Sequence, residues 1–322
     1  MKRTAGKVHH VTAADRGQTL AAFLRAKLGG PPWSRVQKLV RSRHVMIHGN
    51  VCTDEARRLK EGEVVKVLEA SAAPPPKPRD VRIVYLDDDV VVVDKPSGIT
   101  TTRHHEEASW PARRRQVQPT LDEMMPDVIG RFLAARAGRK PRPGPVYPVH
   151  RIDRETSGLV VFARTVPAGR ILAEQFRLHT TQRRYLALAI GRVGEGTIIT
   201  HLVRDRGDGR RGSSDSGEGK RAVTHVKPVE HFRDEYTLVE CRLETGRTHQ
   251  IRIHLAETGH PLCGEKVYAS LRGTKMADRS GASRVILHAA ELGFVHPKTG
   301  EELRFESPLP PEIEKLLSTL RK

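Results

Sequence analysis

The sequence HRIDRETSGLVVFA, at residues 150–163, sets a charged loop directly before a strongly apolar run. The five apolar residues at its end predict a buried strand, and the polar residues before them predict the loop that leads into it. Asp153 is therefore expected at the mouth of a sheet, between the cationic side chains of Arg151 and Arg154.

Asp153 has two interpretations in this loop. A carboxylate with cationic neighbours stays ionised at neutral pH, as a nucleophile or a general base requires. A structural loop aspartate, which bonds backbone N–H groups, has the same sequence signature. The chemistry of the loop alone leaves both interpretations open.

A second polar cluster follows a predicted strand over residues 236–243. Thr245 and Gly246 predict a turn, and Thr248 is a suitable cap for a helix that runs to Gly259. Arg247 is then expected to project from the turn beside the N-terminus of that helix. The alternative for Arg247 is an ordinary surface arginine.

Two histidines in this cluster, His249 and His254, are five residues apart and do not share a helix face. This spacing argues against a zinc site. We expect His249 and Gln250 to make structural hydrogen bonds instead.

The segments on either side of these clusters have simpler patterns. Residues 81–86 and 90–93 predict a β-hairpin, which the sequence KPSG at 95–98 ends. Residues 103–145 are rich in arginine and proline and contain a helical piece at 121–137. They predict a surface excursion, which either contacts a polyanion or is an ordinary basic surface. Residues 204–214 predict a mobile basic loop.

The composition fits a partner with a phosphate backbone, and it fits equally well a charge excess that serves solubility alone. The 322 residues carry 56 Lys and Arg against 38 Asp and Glu, a formal charge of +18. The length indicates about two domains, and no apolar run approaches the roughly 20 residues of a membrane helix. Three cysteines without a CxxC pair, and an N-terminus without an apolar signal segment, predict a cytoplasmic protein that does not contact membranes.

Half of the charge excess lies in residues 1–80, which hold 16 Lys and Arg against 7 Asp and Glu. Apolar spacing predicts a helix over 20–28 and a second helix that begins at Ser34 as its N-cap. Arg35, Lys38 and Arg41 share one face of the second helix, which either meets RNA phosphates or is a solvated charged face. The proline-rich stretch that follows predicts a stiff linker.

This N-terminal pattern resembles the ribosomal-protein S-four type of RNA-binding module. The shared features are two short helices, a strand, a Gly-Asn turn at 49–50 and a Gly-Glu before the last strand. The resemblance implies a domain at 15–72 that binds structured RNA, after a basic tail at 1–14 and before a linker at 73–80.

The remaining motifs resemble those of the RluA-type pseudouridine synthases over about residues 80–310. The loop at 150–159 looks like the catalytic motif of that family, and RRYLALAIG at 183–191 resembles its tyrosine motif. TGRTHQIR at 245–252 with GHPLCG at 259–264 resembles the arginine motif, and LHA at 287–289 with FVHP at 294–297 matches the closing segment. The departures are Ile152 for Leu, Glu265 for Asp, and basic insertions around 103–145 and 204–221.

This second resemblance implies a fold and a reaction. The fold is α+β, with a catalytic domain at 81–322 built on a mixed/antiparallel sheet and preceded by the small α/β RNA-binding domain. The reaction isomerises uridine within RNA: the N1 glycosidic bond breaks, the uracil turns, and C5 joins C1′. No cofactor or metal is implied, and we expect a monomer.

The resemblance also assigns roles to residues. Asp153 becomes the essential carboxylate, which either attacks C1′ or removes a ribose proton. Arg247 is expected to pair with Asp153 and keep it charged, and Tyr185 to stack on the target base. Arg151 and Arg154 are expected to contact RNA beside the carboxylate.

Other functions compete with this assignment. A noncatalytic RNA-binding or ribosome-assembly protein would explain the charge but does not need Asp153, Tyr185 and Arg247 in motif context. A glycosidase needs a second carboxylic acid, and only one carboxylate lies in a motif. Ribosomal RNA of the large subunit is the expected substrate, with transfer RNA as the alternative.

Overall fold

The computed structural model describes residues 7–47, 50–72, 74–103, 119–137, 143–206, 211–214, 216–269 and 277–322. These residues fall into two compact units, one ending at Pro74 and the other beginning at Pro75. Gly49 of the predicted turn, residues 104–118 of the predicted surface excursion, and the centre of the loop predicted at 204–214 lie outside the described residues.

The small unit consists of two helices and a four-stranded antiparallel sheet. The sheet has the order β1-β4-β2-β3, with β1 (Val8–His10), β2 (Val45–Ile47), β3 (Asn50–Val51) and β4 (Val64–Val67). The helices are α1 (Leu20–Lys27) and α2 (Trp33–Arg41). Apolar residues of both helices and of the central strands form one core.

Two expectations for this unit were wrong in detail. Residues 8–10, predicted as part of a tail, form β1 and pair with residues 64–66 of β4. A three-residue strand of alternating exposure has too short a pattern to stand out in the sequence. The helix α2 starts at Trp33 with Pro32 as its N-cap, rather than after Ser34.

The large unit is built on one sheet of eleven strands. Its main path has the order β11-β10-β12-β13-β9-β14-β8-β6-β5, and β15 and β7 pair with β14 and β8. The strands are β5 (Arg82–Leu86), β6 (Val90–Lys95), β7 (Tyr147–Pro148), β8 (Ser157–Ala163), β9 (Gln182–Ile190), β10 (Gly196–Val203), β11 (Gly212–Ser213), β12 (Lys220–Phe232), β13 (Tyr236–Leu243), β14 (Leu287–Val295) and β15 (Glu302–Glu306). Only the β14–β8 pair is parallel among the described strands, so the sheet is mixed, as predicted.

Helices cover both faces of this sheet, which explains its continuous apolar strands. They are α3 (Leu121–Ala137), α4 (Val166–Arg177), α5 (Gln250–Glu257) and α6 (Pro311–Leu320). In β8, Val160 and Phe162 pack into the core that includes α3 and α5, whereas Leu159 and Val161 pack into the core that includes α4. The whole of β8 is therefore buried, as its apolar run predicted.

The segment predicted as a mobile basic loop is partly ordered by pairing. Gly212 and Ser213 form β11, which pairs with the end of β10, and the N–H of Ser213 donates to Glu257 of α5. Within the described residues, no helix is long and apolar enough to cross a membrane.

Candidate active site

A cavity of about 470 Å³ opens in the large unit where the loop before β8 faces β9 and the start of α5. Asp153, Arg151, Tyr185 and Arg247 all line it. The fold therefore brings together side chains that are far apart in the sequence. A volume of this size is within the range of small-ligand pockets.

A second loop, which follows β6 and contains Ser97 and Thr101, holds the Asp153 loop in place. The hydroxyl of Thr101 donates to the carbonyl of Ile152 at 2.8 Å, and the N–H of Ile152 returns a bond at 3.2 Å. The hydroxyl of Ser97 donates to the carbonyl of Glu155 at 2.8 Å. The backbone on both sides of Asp153 is thus fixed before any substrate arrives.

Gly158, directly after this loop, is required by a close approach between strands. It adopts φ +110°, and a Cβ built on it would lie 2.2 Å from the carbonyl oxygen of Ala289 in β14. A side chain here would push β8 away from β14, so Gly158 sets the position of the Asp153 loop relative to the sheet.

His150 opens the loop as a neutral packing residue. Its ring stacks on Phe176 at 4.3 Å, and its Nε2 accepts the N–H of Val161 at 3.0 Å. Burial lowers the pKa of His150 to about 3, with a smaller contribution from Arg183, so the ring stays uncharged at neutral pH.

Lys95, at the end of β6, links the Asp153 loop to the loop that follows β6 through hydrogen bonds to carbonyls of both. Its Nζ is fully buried and donates to the carbonyls of Pro96, Ile99 and Arg154 at 3.1, 2.9 and 3.3 Å. Burial lowers the pKa of Lys95 from 10.5 to about 7, although the charge of Asp153 opposes the shift. The sequence indicated only that the strand ends near this residue.

Replacing Lys95 with methionine should lower the free energy of unfolding by about 3 kcal/mol, because buried carbonyls lose their donor. The depressed pKa means that unfolded Lys95 binds more protons than folded Lys95 between about pH 7 and 10.5, so its contribution to stability rises with pH. Urea unfolding of the wild-type protein and Lys95→Met should show a larger difference in the free energy of unfolding at pH 9 than at pH 7. The exposed Lys298→Met variant is the control, and a gap for Lys95→Met that stays constant would contradict this account.

Asp153 has a charged partner in Arg252, which lies in the first turn of α5. Its Nη1 lies 3.5 Å from Oδ2 of Asp153, and Nε2 of His249 lies 3.8 Å from Oδ1. The predicted pairing of Arg247 with Asp153 is wrong: Nε of Arg247 donates to the carbonyl of Arg221 at 3.2 Å instead. Arg247 precedes α5, whereas Arg252 projects from the helix toward the loop.

Glu265 fixes the orientation of Arg252. Its two carboxylate oxygens accept from Nε and Nη2 of Arg252 at 2.7 and 2.9 Å, and the backbone N–H groups of Lys266 and Val267 also donate to it. Burial opposes ionisation of both partners, but their mutual contact lowers the pKa of Glu265 and raises that of Arg252. Glu265, which departs from the usual Asp of the family motif, therefore supplies a two-point carboxylate.

The turn that carries Arg247 is locked by Gln250. The side chain of Gln250 accepts from the hydroxyl of Thr245 and the N–H of Arg247 at 2.7 and 3.0 Å. It donates to the carbonyl of Val223 at 2.9 Å. The predicted structural role of Gln250 is confirmed.

The start of α5 differs from the prediction. The helix begins at Gln250, and its N-cap is His249 with φ 60° rather than Thr248. Nδ1 of His249 lies 2.8 Å from the hydroxyl of Tyr268, so this residue also makes the predicted structural bond. The side chain of His254 is held between Thr200 and Thr224.

Tyr185 presents its ring to the cavity from β9. It is 9% exposed, and Arg183 lies two residues earlier on the same face of the strand. Burial raises the pKa of Tyr185, and the charge of Asp153 raises it further while Arg183 opposes the shift. The phenol is therefore neutral at physiological pH.

The predicted RNA-contacting residues occupy different environments. Arg151 is exposed at the cavity, whereas Nε of Arg154 donates to the carbonyl of Gly98 and helps to join the two loops. In the small unit, the exposed face of α2 carries Arg35, Lys38 and Arg41, and Arg41 forms a two-point ion pair with Glu55.

The sequence of this chain is similar to sequences of known RNA-modifying proteins. Residues 89–257 match the family model described as RNA pseudouridylate synthase. A ribosomal large subunit pseudouridine synthase D of Neisseria meningitidis is 39% identical over 272 residues, which are 81% of this chain and 67% of that protein. The uncharacterized RNA pseudouridine synthase YlyB of Bacillus subtilis is 36% identical over 90% of both chains.

The fold has a counterpart among solved structures. The human RNA pseudouridylate synthase domain containing 4 superposes with a TM-score of 0.57 at 23% identity, over 74% of this chain and 93% of that one. The matched sequence, the shared fold and the cavity that contains Asp153, Tyr185 and Arg252 lead to one conclusion. The chain belongs to the RNA pseudouridylate synthase family and is an isomerase that acts on uridine in RNA.

Proposed function

We propose that this chain converts uridine to pseudouridine in large-subunit ribosomal RNA, with Asp153 as the reacting carboxylate. The observation that supports this proposal most strongly is the half-buried carboxylate of Asp153 in a small cavity, where it contacts Arg252, which is itself fixed by Glu265. The relative from Neisseria meningitidis, named for the large ribosomal subunit, supports this choice of substrate.

The proposed reaction is an isomerisation, so the composition of the nucleotide does not change. The N1–C1′ bond breaks, the uracil turns within the cavity, and a C5–C1′ bond forms while C5 loses a proton and N1 gains one. Asp153 either forms a bond to C1′ or takes a proton from the ribose in the first step. In both routes one carboxylate oxygen must face the sugar, and the contacts to Arg252 and His249 orient the carboxylate.

The cavity fits a nucleotide that has left its stack. A volume of about 470 Å³ accommodates one flipped nucleoside but no segment of duplex. Asp153 and Tyr185 both line the cavity, and in this proposal the ring of Tyr185 stacks on the uracil while Asp153 meets the ribose. Base flipping is thus part of the proposed function.

The small unit is proposed as an RNA-binding domain of the S-four type. Arg35 and Lys38 lie exposed on α2, opposite the buried Val36 and Val40. Arg41 lies on the same exposed side, but Glu55 partly neutralises it. Phosphate contacts from this face would increase affinity without taking part in the chemistry.

Deleting residues 1–74 should weaken binding to structured RNA far more than it slows single-turnover conversion, because these residues contain no part of the cavity. Affinity measured against salt concentration should show a steep negative log–log slope for the full chain and a shallower one for the deletion. The full-length Arg35→Gln/Lys38→Gln variant should move the slope in the same direction. An unchanged slope in both would show that the small unit makes few phosphate contacts.

The substrate assignment is tested by mapping pseudouridine in total RNA from cells with and without the gene. The expected result is the loss of specific pseudouridines from large-subunit ribosomal RNA, restored by the wild-type gene and not by Asp153→Asn. Loss of pseudouridine from transfer RNA alone would show that transfer RNA is the substrate instead.

A further inference from the structure

Arg183 of β9 is a buried arginine without an acidic partner. The residue is 9% exposed and lines the cavity. Among the described residues, no carboxylate lies within ion-pair distance of it, and its Nε is buried without a hydrogen-bond acceptor. A buried guanidinium is normally paired, so this one has unused capacity for an anion.

In the part of the chain that the structure describes, neutral groups hold the guanidinium in place. Nη2 of Arg183 donates to the carbonyl of Glu244 at 3.1 Å, and its Cζ lies 5.9 Å from the ring centre of Phe176. Nη1 passes close to Gly246, where a Cβ would lie 2.7 Å away. The absence of a side chain at Gly246 therefore makes room for the guanidinium.

A second unpaired cation lies beside it. Arg247 also lines the cavity, and within the described part of the chain it has no carboxylate partner. Burial lowers the pKa of Arg183 and the positive charge of Arg247 lowers it further, while Tyr185 opposes the shift. The carboxylate of Glu244 does not relieve this repulsion, since it is paired with His225 and Arg221.

We propose that Arg183 and Arg247 form an anion-binding subsite of the cavity, which holds a phosphodiester of the RNA strand next to the target uridine. This inference rests on the proposed function. Arg183 and Tyr185 are two residues apart on one face of β9, which separates them by about 7 Å along the strand. A phosphate bound by Arg183 would therefore position the base of the adjoining nucleotide over the ring of Tyr185. Arginine suits this role because its planar fork binds two phosphate oxygens.

The test measures binding of a fluorescent RNA pentanucleotide with a central uridine to the full-length protein. In a matched series, each phosphodiester is replaced in turn by an uncharged methylphosphonate. Wild-type protein should lose affinity about tenfold at one position beside the uridine and much less elsewhere. Arg183→Met should bind the all-phosphate RNA about tenfold more weakly and show no further loss at that position.

Two further variants keep the test valid if Arg183→Met folds poorly. Gly246→Ala displaces the guanidinium without removing its charge and should reduce the methylphosphonate effect; Arg247→Ala should reduce it in part. The control is Arg192→Gln, which removes one exposed positive charge beyond the other end of β9 and should retain the full effect.

The inference is overturned if Arg183→Met and Gly246→Ala keep the wild-type loss at the same position, or if wild-type affinity falls equally at every position. The second result would show general attraction between charges. These binding measurements do not depend on turnover. A wild-type protein that binds as described but forms no pseudouridine in ribosomal RNA would reject the proposed function and leave the subsite supported.

Discussion

Replacing Asp153 with asparagine should abolish pseudouridine formation, with single-turnover rates reduced by at least about a thousandfold. The amide is nearly isosteric but carries no charge, so it neither attacks C1′ nor accepts a ribose proton. The guanidinium of Arg252 lies 3.5 Å and the ring of His249 3.8 Å from the carboxylate, and the surrounding loop is held by hydroxyl groups of Thr101 and Ser97 that donate to its backbone carbonyls rather than by bonds to Asp153.

The fold and the RNA affinity of Asp153→Asn should therefore stay close to those of the wild-type protein. Thermal unfolding and filter binding measure both. Asp127→Asn, an exposed position on α3, is the matched control and should keep full turnover. Retention of even a tenth of wild-type turnover by Asp153→Asn would refute the assignment.

Replacing Arg252 with methionine should have the second largest effect. Glu265, 7% exposed, would keep a buried charge without its partner, which typically costs about 3–5 kcal/mol of stability. Asp153 would lose this charged partner at the same time, so the single-turnover rate should fall by orders of magnitude. Arg252→Lys should rescue activity only in part, because a single ammonium lacks the two-point contact.

A double variant separates the structural role of Arg252 from its positioning role. In Arg252→Met/Glu265→Gln the buried charge is removed, so much of the lost stability should return while activity does not. Arg184→Met is the matched control, since Arg184 pairs with the buried Glu291 and does not line the cavity. This control should lose stability and keep its turnover per folded molecule. Recovery of activity in the double variant would contradict a positioning role.

The strands and helices with local signals were predictable from the sequence. The apolar run of β8, the hairpin of β5 and β6, and the helix over 121–137 appear where their patterns indicated. Each of these elements has a local signal in the sequence, either a short apolar run bounded by turn residues or apolar positions at helical spacing. The resemblance of their motifs to those of the family, and not periodicity, placed Asp153 and Tyr185 in one site.

The role of Arg252 was not predictable in this way. The sequence predicted only a helix capped by Thr248 that runs to Gly259, whereas α5 is buried on all sides from Gln250 to Ala256. Its contacts are tertiary: Glu265 is 13 residues away and Asp153 is 99 residues away. A charged residue in a helix buried all round requires a partner, but the burial itself is visible only in the fold.

Lys95 escaped prediction for a similar reason. Proline and glycine after it indicated the end of a strand, and nothing local showed that its Nζ would bond a carbonyl 59 residues away. Such residues are recognised by full burial together with neutral acceptors, both of which depend on how separate segments meet.

The most direct test of the central claim is tritium release from large-subunit ribosomal RNA labelled at C5 of uridine. Formation of the C5–C1′ bond displaces the label into water, so wild-type protein should release tritium without freeing uracil, and Asp153→Asn should release none. Free uracil would indicate glycosidic cleavage instead of isomerisation. Absence of tritium release from this RNA by the wild-type protein would contradict the account.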